Sequence, residues 1–243
     1  MWPSRSGASI RPETTTTTGI YTFTGVPSGT YVVSITVPAG YASSTPTTPT
    51  VGVDGNDNGS PSGAFIVSEA FTATPGTSVG SITTDTMGTT SNPSIDFGLV
   101  PKFDLGNRVW FDTDNSGTQN GAEVGVAGVT VTLMANGAVI ATQVTGVGGY
   151  YLFTDLLPGT YSVTVAGANF LPGGKLYQYV SSTPDDPSAN TDMNDNGLGT
   201  TPGANGVSSG NVTLGLGLEP VGETDGVVGP NGDANGNNTI DFG

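Results

Sequence analysis

A duplicated pattern covers most of the chain and restricts the folds open to it. The sequence GIYTFTGVPSGTY at 19–31 returns as GYYLFTDLLPGTY at 149–161. Residues 43–46 and 54–59 return at 181–184 and 192–197, and residues 92–98 return at 237–243. Self-similarity of this kind indicates two copies of one structural unit.

The two copies are unequal in length. The second runs from about Pro101 to Gly243, and the first ends by residue 100, so the sequence predicts two domains, 1–100 and 101–243. Residues 105–140 have no counterpart in residues 1–18. The first domain is therefore expected to be incomplete at its N-terminal end and to leave a strand edge unpaired.

Short segments of alternating apolar and polar residues recur between turn residues. With 39 Gly and 17 Pro, the composition favours many short strands over long helices. In the second copy the predicted strands are 105–111, 128–134, 139–144, 150–153, 159–165, 177–181, 212–218 and 239–242. The sequence therefore predicts an all-β fold of tandem antiparallel β-sandwiches, immunoglobulin-like or transthyretin-like in shape, with the first one truncated.

One acidic segment has the spacing of a calcium-binding loop, DTDNSGTQNGAE at 112–123. Calcium takes six to eight oxygen ligands, which a loop supplies from its positions 1, 3, 5, 7, 9 and 12 around a glycine at position 6. Gly117 stands at position 6, and the backbone carbonyl is the ligand expected at position 7. The predicted ligands are Asp112, Asp114, Ser116, Thr118, Asn120 and Glu123.

The flanks of this segment differ from those of a helical calcium-binding hand. They alternate and are rich in Val and Thr, so the loop is expected to join strands. The alternative is an Asx-rich turn whose carboxylates accept hydrogen bonds from nearby amides without a metal.

A second acidic motif, D-x-N-D-N-G, occurs in both copies. It supplies Asp54, Asn56 and Asn58 in the first copy and Asp192, Asn194 and Asn196 in the second. Position 12 carries Phe65 or Gly203 where a calcium loop has Glu, so acids from another loop would have to complete a site. The candidates in the second copy are Asp233, Asn235, Asn237 and Asp241. An Asn/Gly turn without metal remains the alternative.

Composition excludes several classes of function. Five Lys plus Arg against 20 Asp plus Glu give a formal charge of −15, which disfavours nucleic acid and favours cations as partners. The chain has no Cys and no His, so neither thiol catalysis nor a Ser-His-Asp arrangement can exist, and we expect no enzyme. The sequence contains no apolar run of about 20 residues, so we expect no membrane insertion. Residues 1–19 lack the apolar core of a signal peptide.

Several segments together resemble the SdrD B-like domains, which are related to the collagen-adhesin B-type domains of bacterial surface proteins. They are LGNRVWFD at 105–112, the loop to Glu123, GVAGVTVTL at 125–133, GYYLFTDLLPGTY at 149–161 and IDFG at 240–243. The resemblance implies β-sandwiches in tandem, bound calcium and a stalk or adhesive role outside the cell. Related domains can carry a Lys–Asn isopeptide bond, for which Lys102 and either Asn237 or Asn238 are the candidates here.

These observations favour a calcium-binding repeat of a secreted, cell-surface protein that acts as a rigid stalk or spacer. The alternative is a binding module that recognises an extracellular matrix protein or a polysaccharide through its sandwich loops. A third interpretation, an accessory domain of a hydrolase, would need a catalytic region elsewhere.

Overall fold

The computed structural model describes residues 11–44, 55–73, 94–223 and 228–243. They belong to two compact units, one within Met1–Ile35 and Thr45–Gly98 and the other within Thr36–Ser44 and Leu99–Gly243. The domain limits 1–100 and 101–243 stay a prediction. Within the described ranges the helices are 3-10 turns, at Val147–Gly149, Gly167–Phe170 and Asp233–Asn235.

The described strands are short, as the Gly- and Pro-rich sequence predicts. In chain order they are β1 (Gly29–Tyr31), β2 (Ser34–Thr36), β3 (Tyr41–Ser43), β4 (Gly59–Ser62), β5 (Phe65–Ser68), β6 (Phe71–Ala73), β7 (Leu99–Pro101), β8 (Phe103–Arg108), β9 (Thr130–Ala135), β10 (Ala138–Val144), β11 (Tyr150–Leu156), β12 (Gly159–Ala166), β13 (Leu198–Gly203), β14 (Gly206–Ser208), β15 (Val212–Leu214) and β16 (Gly236–Asn237). The prediction of an all-β fold is confirmed.

Two sheets of the second unit form a sandwich. One has the order β10-β9-β12-β14-β13, with β15 also paired to β12, and the other has the order β11-β8-β16. The pairings are antiparallel except for β16, which runs parallel to β8. The chain crosses from one sheet to the other between β8 and β9, and this crossing carries the acidic segment 112–123.

The core lies between these sheets and follows from strand alternation. Val131 and Leu133 of β9 point inward and are fully buried, while the residues between them are partly exposed. Leu105 and Phe153, which are opposite each other on β8 and β11, face them from the other sheet. Trp110, with 2% of its surface exposed, packs where the crossing segment begins.

The sequence repeat is also a repeat of contacts. Tyr21 Oη donates to Ile95 O at 2.5 Å, and Tyr151 Oη donates to Ile240 O at the same distance. Ser68 Oγ accepts from Val33 N at 3.0 Å, as Ser209 Oγ does from Val163 N. These two hydrogen bonds of the first unit thus recur at the equivalent positions of the second.

Three of the predicted strands are wrong in type or extent. Residues 177–181 do not form a strand: Tyr177 N and Tyr179 N donate to carbonyls three residues back, and both side chains are about half exposed. The strand predicted at 212–218 ends at Leu214, where a turn follows. Residues 239–242 are not a full strand, although Ile240 N donates to Gly106 O and Phe242 pairs with Val109.

The free edges of β10 and β11 are joined by a side chain. Gln143 on β10 donates through Nε2 to Leu152 O at 2.6 Å and accepts from Leu152 N at 3.4 Å through Oε1. Its amide therefore binds both backbone polar groups of one residue on β11, which belongs to the opposite sheet.

Candidate calcium site

Backbone pairing closes the acidic loop at its base. Trp110 pairs with Gly125, and Phe111 N donates to Val124 O at 3.0 Å, so residues 112–123 project as a closed loop from the end of β8. Gly117 adopts a φ of 69° at the reversal, a conformation that glycine adopts without steric cost.

Three carboxylates converge inside this loop. Those of Asp112, Asp114 and Glu123 each place an oxygen within 4.8 Å of the others. Backbone amides donate to all three. Ser116 N and Gly117 N donate to Asp112 at 3.1 and 2.8 Å, and Thr113 N and Asn120 N donate to Glu123 at 2.6 and 3.0 Å. Ser116 N is also 3.1 Å from Asp114 Oδ1. Glu123 Oε1 also accepts from the Thr113 hydroxyl, but Glu123 Oε2 and both Asp112 oxygens accept one of these hydrogen bonds each and retain a second lone pair that can ligate a metal.

The other predicted ligands lie around the same point. Asn120 Nδ2 is 3.2 Å from Asp114 Oδ2, 3.0 Å from Ser116 Oγ and 3.4 Å from Thr118 O. An amide –NH2 group with its partial positive charge thus stands among three oxygens of the predicted set. Since the O and N of an amide exchange by a flip of the group, the same side chain can turn its oxygen toward a cation. The donor set fits calcium, which prefers carboxylate, hydroxyl and carbonyl oxygens.

The charge of the loop opposes the convergence of its carboxylates. Two charges about 5 Å apart repel by roughly 1 kcal/mol even in bulk water. Hydrogen bonds from Ser116 and then from Asn120 lower the pKa of Asp114, so this carboxylate stays ionised at mildly acidic pH. A divalent cation would remove the repulsion.

The loop is packed on a second segment, residues 183–195. Asp195 N donates to Gly117 O at 2.9 Å, and Gln119 N donates to Met193 O at 2.8 Å. A side chain at position 117 would meet Pro184 O at 2.2 Å. Gly117 is thus required by the close approach of Pro184 as well as by its own φ.

A second pair of carboxylates lies beyond this segment. Asp192 Oδ1 and Asp241 Oδ2 both accept from Asn107 Nδ2, at 3.1 and 3.3 Å, and both accept from Met193 N at 3.1 Å. Shared donors hold the two acids side by side, and Asp241 is almost fully buried. Asp241 is thus a distant acid that lies beside the second motif, and its completion of a metal site stays a prediction.

The asparagines of the second motif have different surroundings. Asn194 Oδ1 is buried and accepts no hydrogen bond from the described residues, although Asn194 Nδ2 donates to Asp186 at 2.9 Å. Asn196 is fully engaged: its Nδ2 donates to Asp186 O and Ser188 O, both at 3.0 Å, and its Oδ1 accepts from Asp241 N at 2.7 Å. Asn196 therefore positions Asp241, and its role as a ligand stays a prediction.

Asp195, between these asparagines, is a buried acid. Burial raises its pKa to about 6, against hydrogen bonds from Gly197 N and the Ser182 hydroxyl that favour the charged form. Its carboxylate also accepts from Gly243 N at 3.2 Å. Asp195 thus ties the acidic loop to the last residue of the repeat.

The first unit repeats these contacts. Asn58 Oδ1 accepts from Asp96 N at 2.7 Å, and Gly55 N donates to Asp96 Oδ2 at 3.0 Å, as Met193 N does to Asp241. Asn56 Oδ1 accepts from Asn58 Nδ2 at 3.0 Å. Asp54 lies outside the described residues, so its predicted role as a ligand stays a prediction.

The remaining candidate residues lie elsewhere. Asp233 accepts from Gly222 N, and Asn237 Nδ2 donates to Ala189 O at 2.9 Å. Lys102 Nζ is 3.0 Å from Asp155 Oδ1. Lys102 thus forms an ion pair and Asn237 a hydrogen bond, and the isopeptide bond between Lys102 and Asn237 or Asn238 stays a prediction.

Sequence reasoning missed Asn107 and Asp186. A signal for Asn107 exists, because strand alternation places it on the same face as Leu105 and Val109, which are buried core residues. A polar side chain on the core face of a strand marks a buried hydrogen-bond network. Asp186 has no such signal, since its contacts arise from the fold of an irregular segment.

No helix in the described part of the chain is long and apolar enough to cross a membrane.

Comparison with known proteins identifies the second unit. Residues 103–218 match the family model described as the SdrD B-like domain. The serine-aspartate repeat-containing protein D of Staphylococcus aureus (strain Newman) is 38% identical over 161 residues, which are 65% of this chain and 11% of that protein.

Two further relatives carry similar names. The serine-aspartate repeat-containing protein F of Staphylococcus epidermidis is 35% identical over 162 residues, which are 66% of this chain and 8% of that protein. Protein C of S. aureus (strain Newman) is 34% identical over 187 residues, 76% of this chain and 17% of that protein. The chain spans less than a fifth of each of these relatives. Its region 103–218 belongs to the family of SdrD B-like domains.

Proposed function

We propose that the chain is a calcium-binding structural repeat of a secreted, cell-surface protein, and that it serves as a rigid spacer in adhesion. The observation that carries the proposal is the convergence of the Asp112, Asp114 and Glu123 carboxylates within 4.8 Å of one another in a closed loop. Calcium would supply the charge that this loop lacks, with Ser116, the Thr118 carbonyl and Asn120 completing the ligands.

Rigidity would follow from the packing of the loop. Because Gly117 and Gln119 bond to the segment 183–195, a metal in the loop would also order that segment. Through Asp195 and Gly243 the effect would extend to the end of the repeat. A ligand that binds the folded state alone stabilises it by mass action.

The second carboxylate pair supports a further calcium position in each copy. Asp192, Asp241 and the buried oxygen of Asn194 would be its protein ligands in the second unit. Asn56, Asn58 and Asp54 stand at the equivalent positions of the first unit, where Asp96 takes the place of Asp241.

A calcium titration followed by thermal unfolding tests the proposal. Calcium at about 100 times its dissociation constant should add about 2.7 kcal/mol and raise the midpoint by roughly 5–10 °C. Glu123→Gln should remove most of this increment, because it weakens the ligand at position 12. Glu69→Gln is the charge-matched control, because Glu69 is exposed and lies outside the loop, directly after β5.

Protease protection provides an independent measurement. Endoproteinase Glu-C cleaves after acidic residues, and three of these lie in the loop. Calcium should slow cleavage within 112–123 several-fold in the wild-type chain. An unchanged melting midpoint together with unchanged cleavage would contradict calcium binding in the loop.

Location is tested separately. Antibodies against the chain should stain intact cells of the source organism, and staining that requires permeabilised cells would contradict the surface location.

A further inference from the structure

Arg108, at the end of β8, is held in a fixed orientation. Its Cζ lies 5.1 Å from the ring centroid of Tyr150, which is its antiparallel partner on β11. Its Nε donates to Gly148 O at 2.8 Å. A cation over an aromatic face is attracted by the ring, and the hydrogen bond fixes the rotation of the guanidinium.

Most of the hydrogen-bonding capacity of this side chain is unused. A guanidinium has five N–H donors, and within the described residues its Nε–H is the one with a protein acceptor. The described ion pairs involve Arg11 and Lys102, and no described carboxylate lies within 4.0 Å of Arg108. Acidic residues outnumber basic ones four to one in this chain. Arg108 nevertheless has no carboxylate partner among the described residues, so its guanidinium is available to a carboxylate from another molecule.

Arg108 lines an open cavity of about 270 Å³ beside the acidic loop. The other lining residues are Gln119, Asn120, Gly121 and Met193. Two of these carry side-chain amides, and none is acidic or aromatic. The cavity is smaller than the roughly 300–1,000 Å³ that small-molecule sites occupy, and it offers no aromatic platform for a sugar ring.

We propose that this cavity binds the carboxylate of an Asp or Glu side chain from a partner protein. Arg108 would bind the carboxylate with its two terminal amino groups, the geometry that planar guanidinium and carboxylate groups share. Gln119 would donate from its side-chain amide to the same oxygens, whereas Asn120 Nδ2 is held by Asp114, Ser116 and Thr118. The size of the cavity, its positive group and its lack of a stacking surface favour a protein side chain over a polysaccharide.

Arg108 and Gln119 are not among the proposed calcium ligands, so these two donors do not depend on calcium. Calcium would affect the cavity in a secondary way, because Asp114 and Glu123 repel an incoming acid and a bound cation would neutralise them. The site therefore stands if the loop fails to bind calcium, and the two proposals are tested by different measurements.

Nuclear magnetic resonance of the whole chain tests the proposal. The probe is the capped peptide acetyl-Gly-Glu-Gly-amide, with acetyl-Gly-Gln-Gly-amide as the neutral control and glucuronic acid as the sugar carboxylate. The titrations are made in calcium and in calcium-free buffer from which any chelator has been dialysed, since chelators are themselves carboxylates.

The Glu peptide should shift the Arg108 Nε–H signal and the side-chain amide signals of Gln119 and Asn120, with a dissociation constant on the order of 1–10 mM. The Gln peptide should leave them unchanged, and glucuronic acid should bind at least several-fold more weakly. Arg108→Gln should abolish the shifts, and Gln119→Ala should weaken binding a few-fold while leaving β8 intact. Lys175→Gln, which removes the same charge at an exposed position away from the cavity, should bind as the wild type does.

Saturable binding of the Glu peptide in either buffer supports the site. The absence of a saturable chemical-shift change in each of the two buffers would overturn it. An equal loss of affinity for the Glu peptide in Arg108→Gln and Lys175→Gln would also overturn it. Equal affinity for glucuronic acid would overturn the assignment to a protein partner.

Discussion

Asn196 and Asp241 exchange two hydrogen bonds across 45 residues of chain. Asn196 N donates to Asp241 O at 2.9 Å, and Asp241 N donates to Asn196 Oδ1 at 2.7 Å. Asn58 and Asp96 make the same exchange at 2.9 and 2.7 Å. The pair joins the acidic segment of each unit to its closing residues and so sets the position of the Asp241 carboxylate beside Asp192.

We predict that Asn196→Ala destabilises the second unit by roughly 3–5 kcal/mol. The substitution leaves the buried Asp241 N and the partly buried carbonyls of Asp186 and Ser188 without their side-chain partner, and a buried unsatisfied group costs about 1–3 kcal/mol. Urea unfolding in calcium-free buffer measures the effect. Asn211→Ala, at an exposed position, should change the free energy of unfolding by less than about 0.5 kcal/mol. Equal effects of the two substitutions would contradict the structural role of Asn196.

Two glycines of the acidic loop should respond differently to the same substitution. Gly117 and Gly121 both have positive φ, of 69° and 54°, so alanine costs about 1 kcal/mol of backbone strain at either position. A Cβ at 117 would also meet Pro184 O at 2.2 Å, whereas at 121 it meets nothing within 4 Å. Gly117→Ala should therefore destabilise the chain by at least about 2 kcal/mol more than Gly121→Ala in thermal or urea unfolding. Similar losses at the two positions would show that the loop is not packed on Pro184.

Asp241→Asn should show whether calcium binds at the Asp192–Asp241 pair independently of the loop 112–123. The substitution removes one charge from the pair with Asp192 and leaves the loop 112–123 unaltered. Isothermal calorimetry should therefore show one bound calcium fewer, with the binding event assigned to Glu123 unchanged. Asp155→Asn, which removes an exposed carboxylate near Lys102, should leave the stoichiometry as in the wild type. A wild-type stoichiometry for Asp241→Asn would contradict the second position.

Glu219 should give the stability a pH dependence of defined sign. Burial raises its pKa above the usual value, opposed by hydrogen bonds from Gly215 N and the Asn237 side chain and reinforced by Glu223. The folded state therefore holds this proton to higher pH than the unfolded state, and its contribution to stability is lost as pH rises through the raised pKa.

Glu219→Gln keeps the oxygen that accepts from Gly215 N at 2.9 Å but cannot ionise. Its free energy of unfolding, relative to the wild type, should increase as pH is raised from about 4 toward 7. Urea unfolding across this range checks the prediction, and Glu69→Gln should give a flat difference. A difference that falls with rising pH would reverse the sign argued here.

Alternation predicts most of the sandwich because strands with one buried face repeat every second residue. Val131 and Leu133 follow this rule, and β9, β10, β11 and β12 lie close to their predicted limits. The same rule fails at Tyr177 and Tyr179, whose alternating aromatic pattern predicts a strand. Hydrogen bonds within the turns from Gly174 to Tyr179 occupy the backbone instead.

Spacing within one loop can be read from sequence, since its ligands are fixed by local geometry. The carboxylates of Asp112, Asp114 and Glu123 do converge, while the full set of six calcium ligands stays a prediction. Contacts between distant loops cannot be read in this way: nothing in the sequence places Pro184 against Gly117 or Asn107 between Asp192 and Asp241. These contacts depend on the positions of the loops relative to one another, and the packing of the two sheets sets those positions.

The bridge from Gln143 to Leu152 has a consequence for a chain built of like units. Unpaired edge strands invite the strands of a neighbouring molecule, and protein arrays with similar sequences are especially exposed to such mispairing. Because the Gln143 amide occupies both the donor and the acceptor of Leu152, an intruding strand would have to displace it before adding to β11. The uncharged side chain of Gln143 thus opposes the pairing of β11 with an edge strand of another repeat.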